Sequence, residues 1–381
     1  MNRRTFFSTA AATAVAGAAA PLTAEPAEKR TESKTVVSLL QSASVAGPAT
    51  ANPFHPGFRA ADLRGVVDKN KENLLRLLQL AGERKSDIAC TTEDILGIYS
   101  CMMDLDHPQR FVDHCETIPG PLTDALGRTA KKYNMYVIAC FFEKEGDRCY
   151  NTAVLIDRSG RVQGRYRKVQ LPAPETWVCT PGDSYPVFNT DFGKIGIAIC
   201  YDMIFPEITA CYALQGVNLL FHPTGGFGWT EDLGLSTLKV RAADHVMWIA
   251  AAKNAGVHAP GHSCIVNPLG QVVADAGYDI DTVLTAYISP QQGWLQPDYG
   301  FGTAITGVAD MRARLCLERR PDLYRLITEP QPPLALQHKD KKLISAQNHA
   351  AQRAVFEKLK KQWQKEALDT DEKIGLTRTI L

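Results

Sequence analysis

The sequence predicts a layered α/β domain, and two observations predict it. From Thr35 to about Ala286, apolar runs of strand length alternate with longer segments of helical period, the pattern that stacks helices on sheets. With 381 residues, 45% of them hydrophobic, the chain can bury a core large enough for several such layers.

Each element follows from its local pattern. Val36 to Leu40 is a first apolar strand. Leu63 to Gly82 carries apolar residues at 63, 66, 67, 74, 77, 78 and 81 among Lys, Arg and Glu, an amphipathic helix that Gly82 helps to end. Asp87 to Cys90 is a short second strand, Leu122 to Tyr133 a helix, and Tyr136 to Phe142 a buried strand. Thr152 to Asp157 and Val162 to Tyr166 read as a hairpin around Arg158-Ser159-Gly160-Arg161. Lys194 to Cys200 is a strongly apolar strand that stops at the cysteine, and Ile204 to Gln215 is a helix closed by Gly216. Val217 to Phe221, Trp248 to Ala252 and Ser263 to Val266 are further buried strands, the last joined to Val272–Ala274 by the turn Asn267-Pro268-Leu269-Gly270. Beyond Ala286 the pattern changes to Pro- and Arg-containing segments and then a charged helix with Val355, Phe356, Leu359 and Trp363 on one stripe. That stripe reads as a packing face, against its own domain or a neighbouring subunit, rather than a membrane-surface helix.

The N-terminus stands apart. Asn2-Arg3-Arg4-Thr5-Phe6-Phe7 precedes a weakly apolar, Ala-rich run from Ser8 to Ala20, a sequence that resembles a twin-arginine export signal over residues 1–24. Residues 25–34 are polar and unpatterned, a linker, so the expected order is signal, linker, a domain over 35–290 and an extension over 291–381. This implies an exported protein, periplasmic or otherwise extracytoplasmic. No later stretch is comparably long and uncharged, so no membrane span is expected after the signal. Lys and Arg number 42 against 41 Asp and Glu, a balance that offers no footprint for nucleic acid and favours a small-molecule partner.

Ten cysteines are spread along the chain with no C-x-x-C pair, so zinc or redox motifs have no support and no metal is expected. Most of the thiols read as small buried hydrophobes. Cys200 is different in position, at the end of a buried strand and before a helix, where α/β folds place reactive groups. A free thiol has a pKa of roughly 8.5, so a nucleophilic role needs a base or a cation nearby.

Its surroundings resemble one family in detail. Gly193-Lys194-Ile195-Gly196-Ile197-Ala198-Ile199 followed by Cys200-Tyr201-Asp202-Met203-Ile204-Phe205-Pro206-Glu207 resembles the nucleophile strand and elbow of the carbon–nitrogen hydrolase (nitrilase) superfamily. Tyr150-Asn151-Thr152 to Asp157, leading through Gly164-Arg165-Tyr166-Arg167-Lys168 to Leu171-Pro172, is similar to the family's catalytic-lysine motif. Asp87-Ile88-Ala89-Cys90-Thr91-Thr92-Glu93 matches the element that carries its general base, although Thr91-Thr92 stands where the family has Phe-Pro. Glu175 resembles the extra glutamate of the family's amidases. Ile118-Pro119-Gly120-Pro121, Arg241-Ala242-Ala243-Asp244, Asn254-Ala255-Gly256 and Gly261-His262-Ser263 follow as further landmarks in family order.

The resemblance implies a four-layer αββα sandwich, a homodimer or higher homo-oligomer, and cleavage of a small amide without metal or cofactor. Glu93 would be the base, Cys200 the nucleophile, Lys168 with the Tyr201 backbone N–H the oxyanion partners, and Glu175 the group that holds Lys168 or water. His222, Phe227 and Trp229, in the Gly-bracketed segment 222–229, are expected to shape the substrate pocket. Tyr201-Asp202 after the nucleophile, where nitrilases carry Trp-Glu, favours amides over nitriles, with N-carbamoyl compounds as the alternative. A catalytically silent binding protein is the reading from another class, and four chemically competent positions argue against it.

Overall fold

The computed structural model describes residues 34–226, 231–256, 259–292, 310–329 and 349–372. The expected signal at 1–24, nearly all of the linker, and Phe227 and Trp229 lie outside the described residues.

Two six-stranded sheets form the centre. The first contains β1 (Thr35–Gln41), β2 (Ile88–Cys90), β3 (Tyr136–Glu145), β4 (Arg148–Ile156) and β5 (Val162–Arg167), with the late strand β14 (Thr282–Ile288) on the outer edge of β1. The second is built from β6 (Phe188–Thr190), β7 (Gly193–Ile197), β8 (Leu219–Thr224), β9 (Trp248–Lys253), β12 (Cys264–Val266) and β13 (Val272–Asp275). A small ribbon of β10 (Ala255–Gly256) and β11 (Ala259–Pro260) lies between β9 and β12 in the chain. Each sheet has the same plan, three parallel strands at the centre (β1-β2-β3 and β7-β8-β9) with antiparallel strands outside them.

Strand alternation sorts the side chains into layers. Val37, Leu39, Ile138, Leu155, Ile195, Ile197, Leu219 and Phe221 fill the space between the sheets. The opposite face of the first sheet packs on helices α1 (Ala60–Glu83) and α4 (Pro121–Tyr133) through residues such as Leu77, Leu78, Leu126 and Val154. The opposite face of the second packs on α6 (Pro206–Leu214) and α7 (Glu231–His245) through Ile208, Tyr212, Leu238 and Ala242. This is the expected four-layer αββα sandwich, with short helices α2 (Tyr99–Met102), α3 (Gln109–Val112) and α5 (Glu175–Val178) in its connections.

Three boundaries differ from the sequence reading for physical reasons. Gly82 does not end α1. It lies one residue inside, where a Cβ would come within 2.2 Å of the Tyr133 ring, so the glycine serves close packing of α1 on α4, and the reversal falls at Lys85 with φ +55°. Regular pairing of β7 ends at Ile197, and Cys200 starts a 3₁₀ turn that runs to Ile204. The following helix therefore begins at Pro206, which occupies a first-turn position that needs no N–H donor.

Downstream lie α8 (Met311–Glu318), α9 (Arg325–Thr328) and α10 (His349–Glu372). The stripe on α10 meets its own domain: Phe356, Trp363 and Ala367 are buried against Phe54 and Met103. No helix among the described residues is long and apolar enough to cross a membrane.

Candidate active site

Residues far apart in sequence converge here, two of them just beyond the C-terminal ends of central parallel strands, where this topology favours a site. Glu93 follows β2, Lys168 follows β5, Glu175 opens α5 and Cys200 follows β7. The structure brings all four together.

At Cys200 the chain adopts φ +45°, a left-handed conformation that costs a non-glycine residue roughly 1–3 kcal/mol. The turn is held by Asp202, a buried carboxylate that accepts from Ile199 N at 2.9 Å, Gln170 N at 2.9 Å and the Tyr166 hydroxyl at 2.7 Å. Tyr201 stands second in the 3₁₀ turn that begins at Cys200, where main-chain N–H groups precede any partner within the turn.

Lys168 is fully buried. Its Nζ donates to Glu93 Oε1 at 2.9 Å and to Glu175 Oε1 at 2.6 Å. Burial opposes its charge, yet Glu175 and Glu93 outweigh burial and hold the ammonium well above its ordinary range. The motif Arg165-Tyr166-Arg167-Lys168 is sorted by strand alternation: Arg165 and Arg167 pair with buried Glu143 at 2.5 and 2.7 Å, while Tyr166 and Lys168 turn inward.

Glu93 has a second set of donors. Asn151 Nδ2 lies 2.8 Å from its Oε1 and Gly225 N 2.7 Å from its Oε2. Burial works to raise its pKa, but Lys168, Asn151 and the Cys200 thiol together hold it below the usual carboxylate value. Glu175 goes the other way: burial pushes it up to about 7, against the pull of Lys168 and with repulsion from Glu93. The two carboxylates around one ammonium are thus pushed in opposite directions, Glu93 down and Glu175 up.

The Cys200 thiol is pushed up to about 12, first by burial and next by Glu93, while Lys168 and a hydrogen bond from Thr224 pull it down. Lys168 thus favours the thiolate, but burial and Glu93 prevail. The resting pair is thiol and carboxylate, and the proton must leave as the new bond forms.

Sequence reasoning missed several participants. Asn151 bridges both glutamates, with Nδ2 also 3.2 Å from Glu175 Oε2. It sits beside Thr152 in the buried part of β4, among Cys149, Tyr150, Ala153 and Val154, and a buried amide there was a legible signal. Thr224 and Gly225 come from the end of β8, beside Asn254, whose Nδ2 donates to the Glu93 carbonyl at 3.3 Å. Where Phe-Pro was replaced, Thr91 and Thr92 are buried and satisfied: Thr91 Oγ1 accepts from Cys140 N at 3.0 Å, and Thr92 Oγ1 pairs with Ser42 Oγ at 3.0 Å. His222 is buried with Nδ1 2.9 Å from the Ala198 carbonyl, and burial lowers its pKa to about 4, so it is a neutral imidazole braced against the strand that leads to Cys200. All ten cysteines are free, and six of them are buried, as expected of most of them. Among the described residues no cluster could hold a metal.

Comparison with known proteins identifies the family of the chain. The carbon-nitrogen hydrolase family model matches residues 59–293. The chain is 33% identical over 289 residues to omega-amidase of Bos taurus, covering 71% of this chain and 97% of that protein. It is 29% identical over 292 residues to N-carbamoylputrescine amidase of Solanum lycopersicum, covering 68% and 90%. Among solved structures, an amidase from Nesterenkonia sp. superposes with a TM-score of 0.56 at 22% identity, covering 78% of this chain and 97% of that one. A variant of that amidase carries the acetamide moiety of fluoroacetamide covalently added at its active-site cysteine.

Proposed function

Since the chain belongs to the carbon–nitrogen hydrolase family, we propose that it is an amide hydrolase that cleaves the C–N bond of a small substrate through a thioester on Cys200 and releases ammonia or an amine. The observation that carries this reading is the buried Lys168 ammonium held between Glu93 and Glu175 beside the thiol. A cation in a dry site next to a nucleophile is the arrangement that stabilises an oxyanion.

Glu93 takes the thiol proton as sulfur attacks the amide carbon. Lys168 and the Tyr201 N–H receive the developing negative charge on oxygen. Protonated Glu93 then gives its proton to the departing nitrogen, which leaves with the C–N bond pair, and a thioester remains. Glu93 next draws a proton from water as the water oxygen attacks the thioester carbon, and the thiolate that leaves regains a proton. Glu175 holds Lys168 through both halves. No step calls for a metal or an organic cofactor.

A panel of primary amides, N-carbamoyl compounds and nitriles, scored for ammonia release with intact-mass detection of an acyl adduct on Cys200, tests the reading. Ammonia from amides with an adduct supports it; turnover without an adduct on Cys200 refutes the mechanism. The likeness to a carbamoyl-compound amidase motivates a second reading, and release of carbon dioxide along with ammonia would identify it.

The same proposal includes export by the twin-arginine route and assembly into a homo-oligomer. Export rests on Arg3-Arg4 before an Ala-rich segment and is tested by fractionating wild type and the Arg3→Lys, Arg4→Lys double variant. Active variant protein outside the cytoplasmic membrane excludes that route. Assembly rests on exposed apolar side chains on the outer helices, Leu214 and Val240 among them, and light scattering on the purified protein decides it.

A further inference from the structure

Six residues after Glu93 the chain places an aromatic side chain that the mechanism does not use. Asp94, at φ +48°, accepts from Ile98 N at 3.1 Å and Tyr99 N at 2.9 Å with its two carboxylate oxygens. This side-chain clamp fixes Tyr99 relative to Glu93 with little freedom between them. Tyr99 opens α2, and α2 packs against α5, whose first residue is Glu175. The partly buried ring touches two hydrophobic clusters at once, the core under α1 and α4 and the separate cluster built on α10.

Four of the five buried members of the second cluster, Phe54, Phe356, Trp363 and Ala367, come from outside the matched family region of 59–293, and Met103 from within it. Trp363 of α10 packs on Phe54 with ring centroids 4.9 Å apart and planes tilted by 45°, and meets Phe356 at 6.4 Å. Arg353 and Lys360 of the same helix both pair with Asp106, and Met103 and Leu105 pack beside them. The segment from Tyr99 to Asp106 is therefore held between the catalytic groups and the C-terminal helix.

We propose that Tyr99 forms the pocket wall on which the acyl group of the substrate rests, and that α10 braces this wall from behind, so that the pair limits the length of acyl chain accepted. This inference rests on the amide-hydrolase reading above. The phenol feels all four catalytic groups: burial raises its pKa first, then Glu175 and Glu93, with Lys168 opposing and Cys200 adding to the rise. It therefore stays protonated, an uncharged ring beside a charged site, and its carbon face suits an apolar acyl chain. Removing the ring opens space where a longer chain can lie, and a pocket methylene is worth on the order of tenfold or more in selectivity.

The test compares kcat/KM for acetamide and hexanamide, read as ammonia release, in wild type, Tyr99→Ala, Tyr99→Leu and Trp363→Ala. The hexanamide-to-acetamide ratio should rise about tenfold or more in both Tyr99 variants and should move in the same direction, by a smaller factor, in Trp363→Ala. Should Tyr99→Ala not fold, Tyr99→Leu carries the same comparison, because it keeps most of the apolar contact. A common factor on both substrates in the Tyr99 variants overturns the wall, and an unchanged ratio in Trp363→Ala overturns the brace. If wild type released no ammonia from any amide and Cys200 took no acyl group, the amide-hydrolase reading would fall and this inference with it. An active wild type with an unmoved ratio refutes the Tyr99 inference alone.

Discussion

Asn151 Nδ2 lies 2.8 Å from Glu93 Oε1, the same carboxylate oxygen that receives the Lys168 ammonium. Both donors favour the charged form of the base, and a buried carboxylate keeps its charge through such bonds. Asn151→Leu removes one of them and also leaves Glu175 Oε2 without its 3.2 Å donor. A fall in kcat/KM of roughly tenfold or more is expected, since hydrogen bonds to charged groups are worth about 1.5–3 kcal/mol. Asn151→Asp should be worse, because a third carboxylate joins two. Steady-state ammonia release on one amide ranks the three proteins, and an Asn151→Asp variant as active as wild type would contradict the assignment.

Lys168→Ala leaves two buried carboxylates with no cation. Breaking such an arrangement costs about 3–5 kcal/mol of stability, and losing the oxyanion partner costs on the order of hundredfold in kcat. Lys168→Arg should not restore activity, as a planar fork does not occupy the place of a compact ammonium bonded on two sides. Near-normal kcat in the arginine variant, measured beside urea midpoints, would remove Lys168 from the chemistry.

Cys200→Ala should be folded and inactive, losing the nucleophile for a small change in volume. The left-handed backbone at this position adds a separable effect. Cys200→Gly meets φ +45° without a Cβ penalty, so it should be more stable than Cys200→Ala by about 1 kcal/mol, equally inactive. Thermal melts of the two variants give the difference directly, and a glycine variant less stable than alanine would mean the turn is not strained.

His222 predicts a pH effect on stability. Its folded-state pKa is lowered from 6.5 to about 4 by burial, so between those values the unfolded chain binds a proton that the folded chain does not. Unfolding is then favoured as pH falls: the contribution is complete above pH 6.5 and is lost towards pH 4, about 3 kcal/mol in all. Asp202, raised to about 6 by burial, acts with the opposite sign over its own range because there the folded state holds the extra proton. His222→Gln keeps Asp202, so the difference between variant and wild type in urea unfolding across pH 4–7 isolates the histidine. Parallel curves for the two proteins would mean that His222 has the same pKa in the folded and the unfolded chain.

The layered fold was legible because its central strands are nearly continuous apolar runs and α1 and α4 carry clear stripes. What escaped the sequence reading was non-local. β14 pairs along all of β1 from the far end of the domain, Thr35 opposite Ile288 through Gln41 opposite Thr282, and its mixed composition gains meaning only beside that partner. α7 lacks a one-sided stripe, with exposed Leu233 and Val240 near buried Leu238 and Ala242. Cys200, Lys168, Glu93 and Glu175 were legible through motif resemblance, whereas Thr224, Gly225 and Asn254 reach the site only because two sheets meet there. Asp202 was visible in the motif, but its three donors come from Tyr166, Gln170 and Ile199, which no single window of sequence contains.

The hydrogen bond from Gly225 N to Glu93 Oε2 joins one sheet's strand end to the other's. Glu93, Asn151 and Lys168 belong to the first sheet, Cys200, Thr224 and Gly225 to the second. Neither half alone possesses both a nucleophile and a base. Turnover is thus a reporter of sheet-to-sheet docking itself: a collapsed intermediate with both sheets paired but slipped by a single residue would retain its strand spectrum and be chemically silent.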